Sequence, residues 1–124
     1  MHFSEDTPAG NFILNGYTPD SITINNQEYA HSIYVSPTTL IEDIPLQHIN
    51  QLCIESLQFV IDLKPELLIL GTGHQLVFPA AAMIAALAKN NIGFEAMDHS
   101  AACRTFSVLA AEQRDVGALF LIDR

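Results

Sequence analysis

The sequence predicts an α/β fold with a mixed β-sheet, built from a β-hairpin module followed by a strand–helix–strand–helix–strand succession. The hairpin is indicated by residues 21–35, which are rich in β-forming side chains on both sides of the turn pair Asn25-Asn26. The succession is indicated by three short apolar runs that alternate with segments of helical periodicity. A chain of 124 residues that is 49% hydrophobic can form one modest core. We therefore expect a single α/β domain over residues 11–124.

The first half of the chain supplies strands and turns. Residues 1–10 are polar, and we expect them to be loosely held. The other predicted elements of this half are a short strand at 12–14, a turn at Asn15-Gly16, extended segments at 21–24 and 27–35 joined at Asn25-Asn26, and a loop at 38–46. The first half of the chain is thus expected to form a β-hairpin module.

The second half alternates helices with apolar strands. Apolar spacing between Ile49 and Ile61 predicts an amphipathic helix of about 14 residues, stopped by Lys64-Pro65. The later elements are strands at 67–70, 94–97 and 116–122, a helix at 80–88 opened by Pro79, and a helix from 101 to about 114 capped by Asp98-His99-Ser100. A helical crossover between the first two of these strands makes them parallel.

The charge of the chain excludes several classes of partner. Five Lys and Arg residues stand against 14 Asp and Glu residues, which gives a formal net charge of −9. Such a surface repels nucleic-acid phosphates and anionic membranes. The longest apolar run, at 77–88, is interrupted by Pro79 and is too short to span a bilayer. We therefore expect no nucleic-acid partner and no membrane insertion.

The location of the protein is predicted from its first residues and its cysteines. The acidic start of the chain has no long apolar run and does not resemble a signal peptide. Cys53 and Cys103 lie far apart in the sequence, and we interpret them as reduced thiols. The expected location is the cytoplasm.

Two loops are predicted to meet at one edge of the sheet, because the loops after parallel strands leave from the same edge. Together they carry eight candidate ligand-binding residues: Gly71, Thr72, Gly73 and His74 in the first loop, and Asp98, His99, Cys103 and Arg104 in the second. The helix start in the second loop offers free backbone N–H groups, and Arg104 offers a guanidinium, so a small anion is the expected ligand. In the alternative interpretation the two glycines only turn the chain, and Arg104 pairs with an acidic neighbour.

No cofactor or metal is expected. Gly71 and Gly73 match two glycines of the dinucleotide fingerprint, but Leu76 stands at the third position and the next helix begins only near Pro79. The Gly-Lys-Ser/Thr sequence of a phosphate-binding P-loop does not occur. No two of the five histidines have the i,i+4 spacing of a helical metal site.

Cys103 has two interpretations. A helix start beside Arg104 lowers a thiol pKa, so a nucleophile is conceivable. That nucleophilic set would consist of Cys103, Asp98, and His74 or His99. Core spacing with Phe106 and Ala110 instead favours a buried, inert thiol. The inert interpretation is preferred, no catalytic residue is predicted, and an enzyme is disfavoured.

The later motifs together resemble a known family. They are Leu-Leu-Ile-Leu-Gly-Thr-Gly at 67–73, Gly-Phe-Glu-Ala-Met at 93–97, Ala-Ala-Cys-Arg-Thr-Phe-Ser-Val-Leu at 101–109, and Glu-Gln-Arg-Asp-Val at 112–116. The chain is similar, over nearly its whole length, to the domain-of-unknown-function 498 family. Relatives in that family include mitochondrial respiratory complex I assembly factor three and the adipogenesis-associated domain protein. Ser107 and Gln113 depart from the family pattern.

The resemblance implies a compact three-layer fold around a central mixed sheet, and it brings no catalytic residues. It also implies a role through protein contacts, since the mitochondrial members help to assemble a membrane complex. Our first hypothesis is accordingly a small accessory or assembly-type protein that binds another protein. The second is a small-anion binder, or an enzyme, that uses the Gly71–His74 and Asp98–Arg104 loops.

Overall fold

The computed structural model describes residues 2–4 and 11–123. Within these residues the strands are β1 His2–Ser4, β2 Leu14–Thr18, β3 Ser21–Ile24, β4 Gln27–Tyr29, β5 Ile33–Val35, β6 Leu40–Glu42, β7 Leu67–Gly71, β8 Gly93–Met97 and β9 Val116–Phe120. The helices are α1 Gln58–Leu63, α2 Ala81–Lys89 and α3 His99–Ala111. Two 3₁₀ turns, Ile49–Gln51 and Glu55–Leu57, precede α1.

The main sheet is mixed, as the sequence predicts. Its six strands lie in the order β1-β6-β5-β9-β7-β8. The strand β7 pairs in parallel with β8 on one side and with β9 on the other, and the remaining pairs are antiparallel. Gly71 lies opposite Met97 of β8 and Phe120 of β9. The C-terminal ends of three parallel strands therefore share one edge of the sheet.

An apolar layer covers each face of the main sheet. Successive side chains of a strand point to opposite faces, and in β7 Ile69 belongs to one core cluster while Leu68 and Leu70 belong to the other. The Ile69 side packs against α3 and a second, smaller sheet. The opposite side packs against α1 and α2, whose Val60 and Leu87 are fully buried. The result is the expected three-layer architecture with the mixed sheet at its centre.

The smaller sheet contains the predicted hairpin. Its strands lie in the order β2-β3-β4, and all pairs are antiparallel. Asn25 and Asn26 join β3 to β4 with positive φ angles of 50° and 68°, which asparagine tolerates better than most residues. Ile22 and Ile24 of β3 are buried in the same cluster as Phe106 of α3. The hairpin module therefore forms part of the layer that contains α3.

Three expectations for the first half of the chain are wrong. The segment 27–35 is not one strand, because β4 ends at Tyr29 in the small sheet and β5 begins at Ile33 in the main sheet. Asn15-Gly16 is not a turn but lies inside β2, where the pairing with β3 shifts register between Leu14 and Gly16. The predicted loop at 38–46 contains the short strand β6.

The predicted helix of about 14 residues between Ile49 and Ile61 is also wrong. Two 3₁₀ turns and the six-residue α1 occupy this stretch. The Ser56 hydroxyl accepts a hydrogen bond from the Cys53 N–H and donates one to the Cys53 carbonyl, at 2.8 Å in each case. Such local side-chain bonds compete with the regular α-helical ladder. Lys64, at a φ of 51°, ends α1 where the sequence predicts the stop.

The remaining helices and strands lie close to their predicted positions. Helix α3 begins at His99, two residues earlier than expected, and Asp98 is its N-cap. Of the residues expected to be loosely held, His2–Ser4 form β1 and pair with β6, and the others lie outside the described residues. Among the helices that the structure describes, none has the length and apolar character needed to cross a membrane.

Candidate functional site

The loops after β7 and β8 meet, as the parallel pairing requires. The Thr72 N–H donates to the Met97 carbonyl at 2.8 Å, and the His99 N–H donates to the Gly73 carbonyl at 2.9 Å. These two backbone bonds join the Gly-Thr-Gly segment to the start of α3. The candidate residues of the two loops are thus neighbours in space.

The two glycines of the first loop are needed for different reasons. Gly71 packs so closely that an added Cβ would lie 2.6 Å from Phe120 Cδ1 and 3.1 Å from His99 Cδ2. An added Cβ at Gly73 would make only an ordinary contact with the Pro19 carbonyl oxygen at 3.9 Å, but the φ of 91° is one that side-chain-bearing residues rarely adopt. Both glycines therefore have a structural explanation that does not involve a ligand.

Thr72 holds the loop that follows it. Its hydroxyl lies 2.5 Å from the Gln75 carbonyl and 3.2 Å from the Met97 carbonyl, to which it can donate. The same hydroxyl accepts a hydrogen bond from the Val77 N–H at 3.2 Å. Thr72 thus fixes the backbone of residues 75–77 relative to the end of β8.

Asp98 and His99 start α3 and are both occupied by internal bonds. The Asp98 carboxylate accepts from the Ala101 N–H at 2.8 Å, which is the usual N-cap arrangement. His99 is only 1% exposed, and its two ring nitrogens lie 3.1 Å from the carbonyl oxygens of Thr18 and Leu121. The helix start therefore has a carboxylate at its N–H groups, and His99 faces the interior.

Arg104 and Cys103 point in different directions. The exposed Arg104 guanidinium donates to the Ser100 hydroxyl, which also accepts from Tyr17 Oη at 2.9 Å. The alternative interpretation paired Arg104 with an acidic neighbour, and the ion pairs among the described residues do not include Arg104. Cys103 is buried, and this burial raises the pKa of its thiol to about 12, although the nearby Arg104 guanidinium acts in the opposite direction. The thiol is therefore protonated at neutral pH, whereas a nucleophile needs the thiolate.

Two adjoining clefts open beside His74, the one exposed candidate in the first loop. The larger has a volume of about 510 Å³ and is lined by Pro19, Asp20, Gln47, His48, Ile49, Asn50, Thr72, Gly73, His74, Val77, Leu121 and Asp123. The smaller, of about 220 Å³, is lined by Tyr17, Pro19, Gly73, His74, Asp98, His99 and Ser100. Five of the eight predicted residues line these clefts, whereas Gly71, Cys103 and Arg104 do not.

Several cleft residues were not predicted from the sequence. Pro19 and Asp20 come from the turn between β2 and β3, His48 precedes the first 3₁₀ turn, and Asp123 follows β9. His48 Nε2 lies 3.4 Å from the Asp123 carboxylate. No local motif marks these residues, because only the folded chain brings these three segments to the loop after β7. No group of three His, Cys, Asp or Glu side chains in the described part of the chain could hold a metal ion.

An exposed apolar loop borders the larger cleft. Leu76, Val77 and Phe78 are 50%, 39% and 66% exposed, and Val77 also lines the cleft. Leu76 and Val77 lie within the segment 75–77 that Thr72 fixes, and Phe78 follows it directly. Three consecutive large apolar side chains in solvent are unusual on a folded domain, where exposed apolar residues normally occur singly.

The chain is similar to two curated proteins over nearly its whole length. It is 26% identical over 122 residues to the 13 kDa major membrane protein of Francisella tularensis subsp. holarctica, with 98% of this chain and 99% of that protein covered. It is 29% identical over 119 residues to NADH dehydrogenase [ubiquinone] 1 alpha subcomplex assembly factor 3 of Danio rerio, with 94% and 67% covered.

A solved structure and a family model agree with these similarities. The NMR structure of a Xanthomonas campestris protein superposes with a TM-score of 0.87 at 31% identity, covering 95% of this chain and 89% of that one. Residues 14–121 match the model of a protein family described as of unknown function, DUF498/DUF598. The resemblance seen in the sequence motifs is thereby confirmed, and the chain belongs to the DUF498/DUF598 family.

Proposed function

We propose that this protein is an accessory protein that binds another protein through the exposed loop Leu76–Phe78. The exposure of three consecutive large apolar side chains carries the proposal, because such patches on soluble domains commonly mark interaction sites. The relative named as an assembly factor supports the same class of role. The expected cytoplasmic location remains part of this proposal.

The neighbouring cleft suggests the chemistry of the partner. Asp20 and Asp123 line it, and no lysine or arginine occurs among the described residues that do so. The chain as a whole carries a net charge of −9. A partner segment that presents a Lys or Arg beside apolar side chains would match both the carboxylates and the loop. Apolar contact would supply most of the affinity, and the charges would supply orientation.

The proposal predicts that Phe78→Ser abolishes partner recovery without unfolding the protein. Phe78 is 66% exposed, so its replacement should change the free energy of unfolding by no more than about 0.5 kcal/mol. The measurement is an affinity pull-down from the native host at endogenous level. Val108→Ser is the matched control, since Val108 is 57% exposed on α3 and lines neither cleft.

Site-specific photo-crosslinking gives an independent readout. A benzoylphenylalanine placed at position 78 should form an adduct with a reproducible partner in cells, and one placed at position 108 should not. Equal recovery of partners by wild type and Phe78→Ser, together with no adduct at position 78, would reject the proposal. Binding of the loop to uncharged lipid vesicles instead of protein would reject it as well.

A second candidate function is the binding of a small ligand in the larger cleft. Its volume of about 510 Å³ lies within the range of about 300–1,000 Å³ that is typical of small-molecule sites. Thr72, Gly73 and His74 are the predicted ligand-binding residues that line this cleft and would contact such a ligand. A small anion would have to bind without Arg104, which lines neither cleft, and near the carboxylate that caps α3.

Thermal-shift measurements with phosphate, simple carboxylates and nucleotides test this candidate. Stabilisation by a ligand follows its concentration relative to Kd. If the cleft binds one of these compounds, His74→Ala should remove the shift and Arg104→Ala should retain it. A shift that is the same in wild type and His74→Ala would place the compound elsewhere.

A further inference from the structure

The strand β8, Gly93–Met97, is an open edge of the main sheet. It pairs with β7 on one side, and within residues 2–4 and 11–123 no strand pairs with its other side. Its parallel pairing with β7 is regular along the whole strand. An edge of this kind presents a row of unpaired backbone N–H and C=O groups, to which another strand can bind.

The free backbone groups of this edge belong to Phe94 and Ala96. The Met97 carbonyl accepts a hydrogen bond from the Thr72 N–H, just after β7, at 2.8 Å. Alternate residues of a strand direct their polar backbone groups to the same neighbour, so Glu95 and Met97 both direct theirs to the β7 side. The N–H and C=O groups of Phe94 and Ala96 therefore point to the open side.

The side chains of this edge are apolar on one face and acidic on the other. Phe94 is half-buried against the apolar layer that contains α1 and α2. Ala96 lies on the same face, because residues two apart in a strand share a face. Glu95 lies between them on the opposite face, is exposed, and is the one charged residue of β8. The strand contains no proline, lysine or register shift, which are common means of keeping an edge unpaired, so Glu95 is the feature that can select among incoming strands.

A second copy of this chain fits the edge poorly. In an antiparallel pair, residues with outward backbone groups lie opposite each other. The symmetric pairing that uses all of these groups sets Phe94 opposite Ala96, and Glu95 opposite the same glutamate of the other copy. Like charges directly opposite each other destabilise a strand pair, and each copy carries a net charge of −9. The charge of this edge therefore disfavours self-association.

We propose that β8 binds an extended segment of another protein, which adds to the main sheet as a further strand and places a lysine or arginine opposite Glu95. The backbone of that segment pairs with Phe94 and Ala96, and its apolar side chains on that face cover the half-buried phenylalanine. The basic side chain matches the charge that disfavours a second copy. Because β8 shares no residue with the loop Leu76–Phe78, this inference goes beyond the proposed function and does not depend on it.

Amide hydrogen exchange and NMR titration of the isotope-labelled full chain test the edge. The probe is a capped peptide that alternates valine and threonine around one central lysine, and the comparison peptide has glutamate at its centre. Without peptide, the Phe94 and Ala96 amides should exchange fast, and those of Glu95 and Met97 slowly. The lysine peptide should protect Phe94 and Ala96 and bind about fivefold more tightly than the glutamate peptide, as expected for a cross-strand charge pair.

Reversal of one charge gives the matched comparison. Glu95→Lys should invert the preference, so that the glutamate peptide protects Phe94 and Ala96 more strongly. Glu112→Lys makes the same change of charge at an exposed position after α3 and should keep the preference of wild type.

Four outcomes would overturn the proposal. They are equal binding of the two peptides to wild type, an unchanged preference in Glu95→Lys, peptide-induced changes that leave out Phe94 and Ala96, and protection of these two amides that grows with protein concentration when no peptide is present. The last outcome would mean that a second copy occupies the edge. If Glu95→Lys does not fold, the comparison of the two peptides on wild type decides.

Discussion

The two cysteines of this chain have opposite environments. Cys53 is exposed, whereas Cys103 is buried in α3 with its thiol pKa raised to about 12 by that burial. We predict that iodoacetamide at pH 8 alkylates Cys53 and leaves Cys103 unmodified in the folded protein. Mass spectrometry after a timed reaction measures this, and both thiols should react when the chain is unfolded in denaturant. Rapid native modification of Cys103 would contradict the described burial.

The same thiol predicts a loss of stability at alkaline pH. Its pKa is raised from an ordinary value of 9.0 to about 12, so the unfolded chain loses the proton first as the pH rises. Stability from this group is complete below pH 9 and falls between pH 9 and about pH 12. Chemical denaturation at pH 8 and pH 10.5 should show a smaller loss in Cys103→Ala than in wild type. An equal loss in both proteins would show that other groups cause it.

For single residues, the sequence indicated which positions have a particular conformational requirement, but it did not indicate which contacts the other side chains make. Gly71, Gly73 and Asp98 can be identified from residue type alone, because a close approach, a positive φ and an N-cap each require particular side chains. The direction of Arg104 and the burial of Cys103 depend on how α3 rotates against the sheet. That rotation is set by tertiary packing and leaves no local signal in the sequence.

Among the elements, α3 depends on its first turn. Asp98 Oδ1 accepts from the Ala101 N–H at 2.8 Å. Replacing an N-cap side chain by alanine typically costs about 1 kcal/mol. We predict this loss for Asp98→Ala in urea denaturation, with Asp98→Asn retaining most of the stability because asparagine also caps. A full loss in both variants would show that the charge of Asp98 matters more than its capping bond.

Elements with strong periodicity were predicted well, and short irregular ones were not. The strands β7 and β9 are apolar runs that are largely buried, and α2 and α3 have clear start signals. The segment between Ile49 and Ile61 has helical spacing, but side-chain bonds at Cys53 and Ser56 divide it into short turns. The strand β6 has three residues, which is too few for a period to be visible.

The whole molecule depends on how tightly its central strands pack. An alanine Cβ at Gly117 in β9 would lie 2.0 Å from the hydroxyl of Tyr34, whose ring is buried and packs edge-to-face on Phe59 of α1. Overpacking a core commonly costs about 1–3 kcal/mol. We predict a loss of this size for Gly117→Ala in cooperative denaturation.

The control for this prediction is Gly93→Ala. The nearest atom to an added Cβ at Gly93 is the tip of the Leu67 side chain at 3.2 Å, and Gly93 is exposed at the start of β8. The loss there should be much smaller than at Gly117. A Gly117→Ala protein as stable as wild type would mean that Tyr34 can leave its position at little cost.

At the scale of the molecule, the sequence predicted that two of the loops beside the candidate clefts lie together. The loops after β7 and β8 could be placed together because parallel strands deliver their loops to one edge. Asp20, His48 and Asp123 could not be placed there, since they arrive through the smaller sheet, a 3₁₀ turn and the end of the chain. Their positions depend on long-range packing between layers, for which one sequence contains no spacing rule.

The hydroxyl of Thr72 affects the entropy change when a partner protein binds the loop Leu76–Phe78. It bonds to the backbone of Gln75 and Val77, so the segment that presents Leu76–Phe78 is already ordered before any partner arrives. Ordering a flexible segment on binding costs conformational entropy, and a preformed one avoids most of that cost. We predict that Thr72→Val, which removes these bonds but changes no apolar side chain of the loop, weakens partner binding, with a more unfavourable entropy in calorimetry. The loop would then act as a rigid template that its partner must fit.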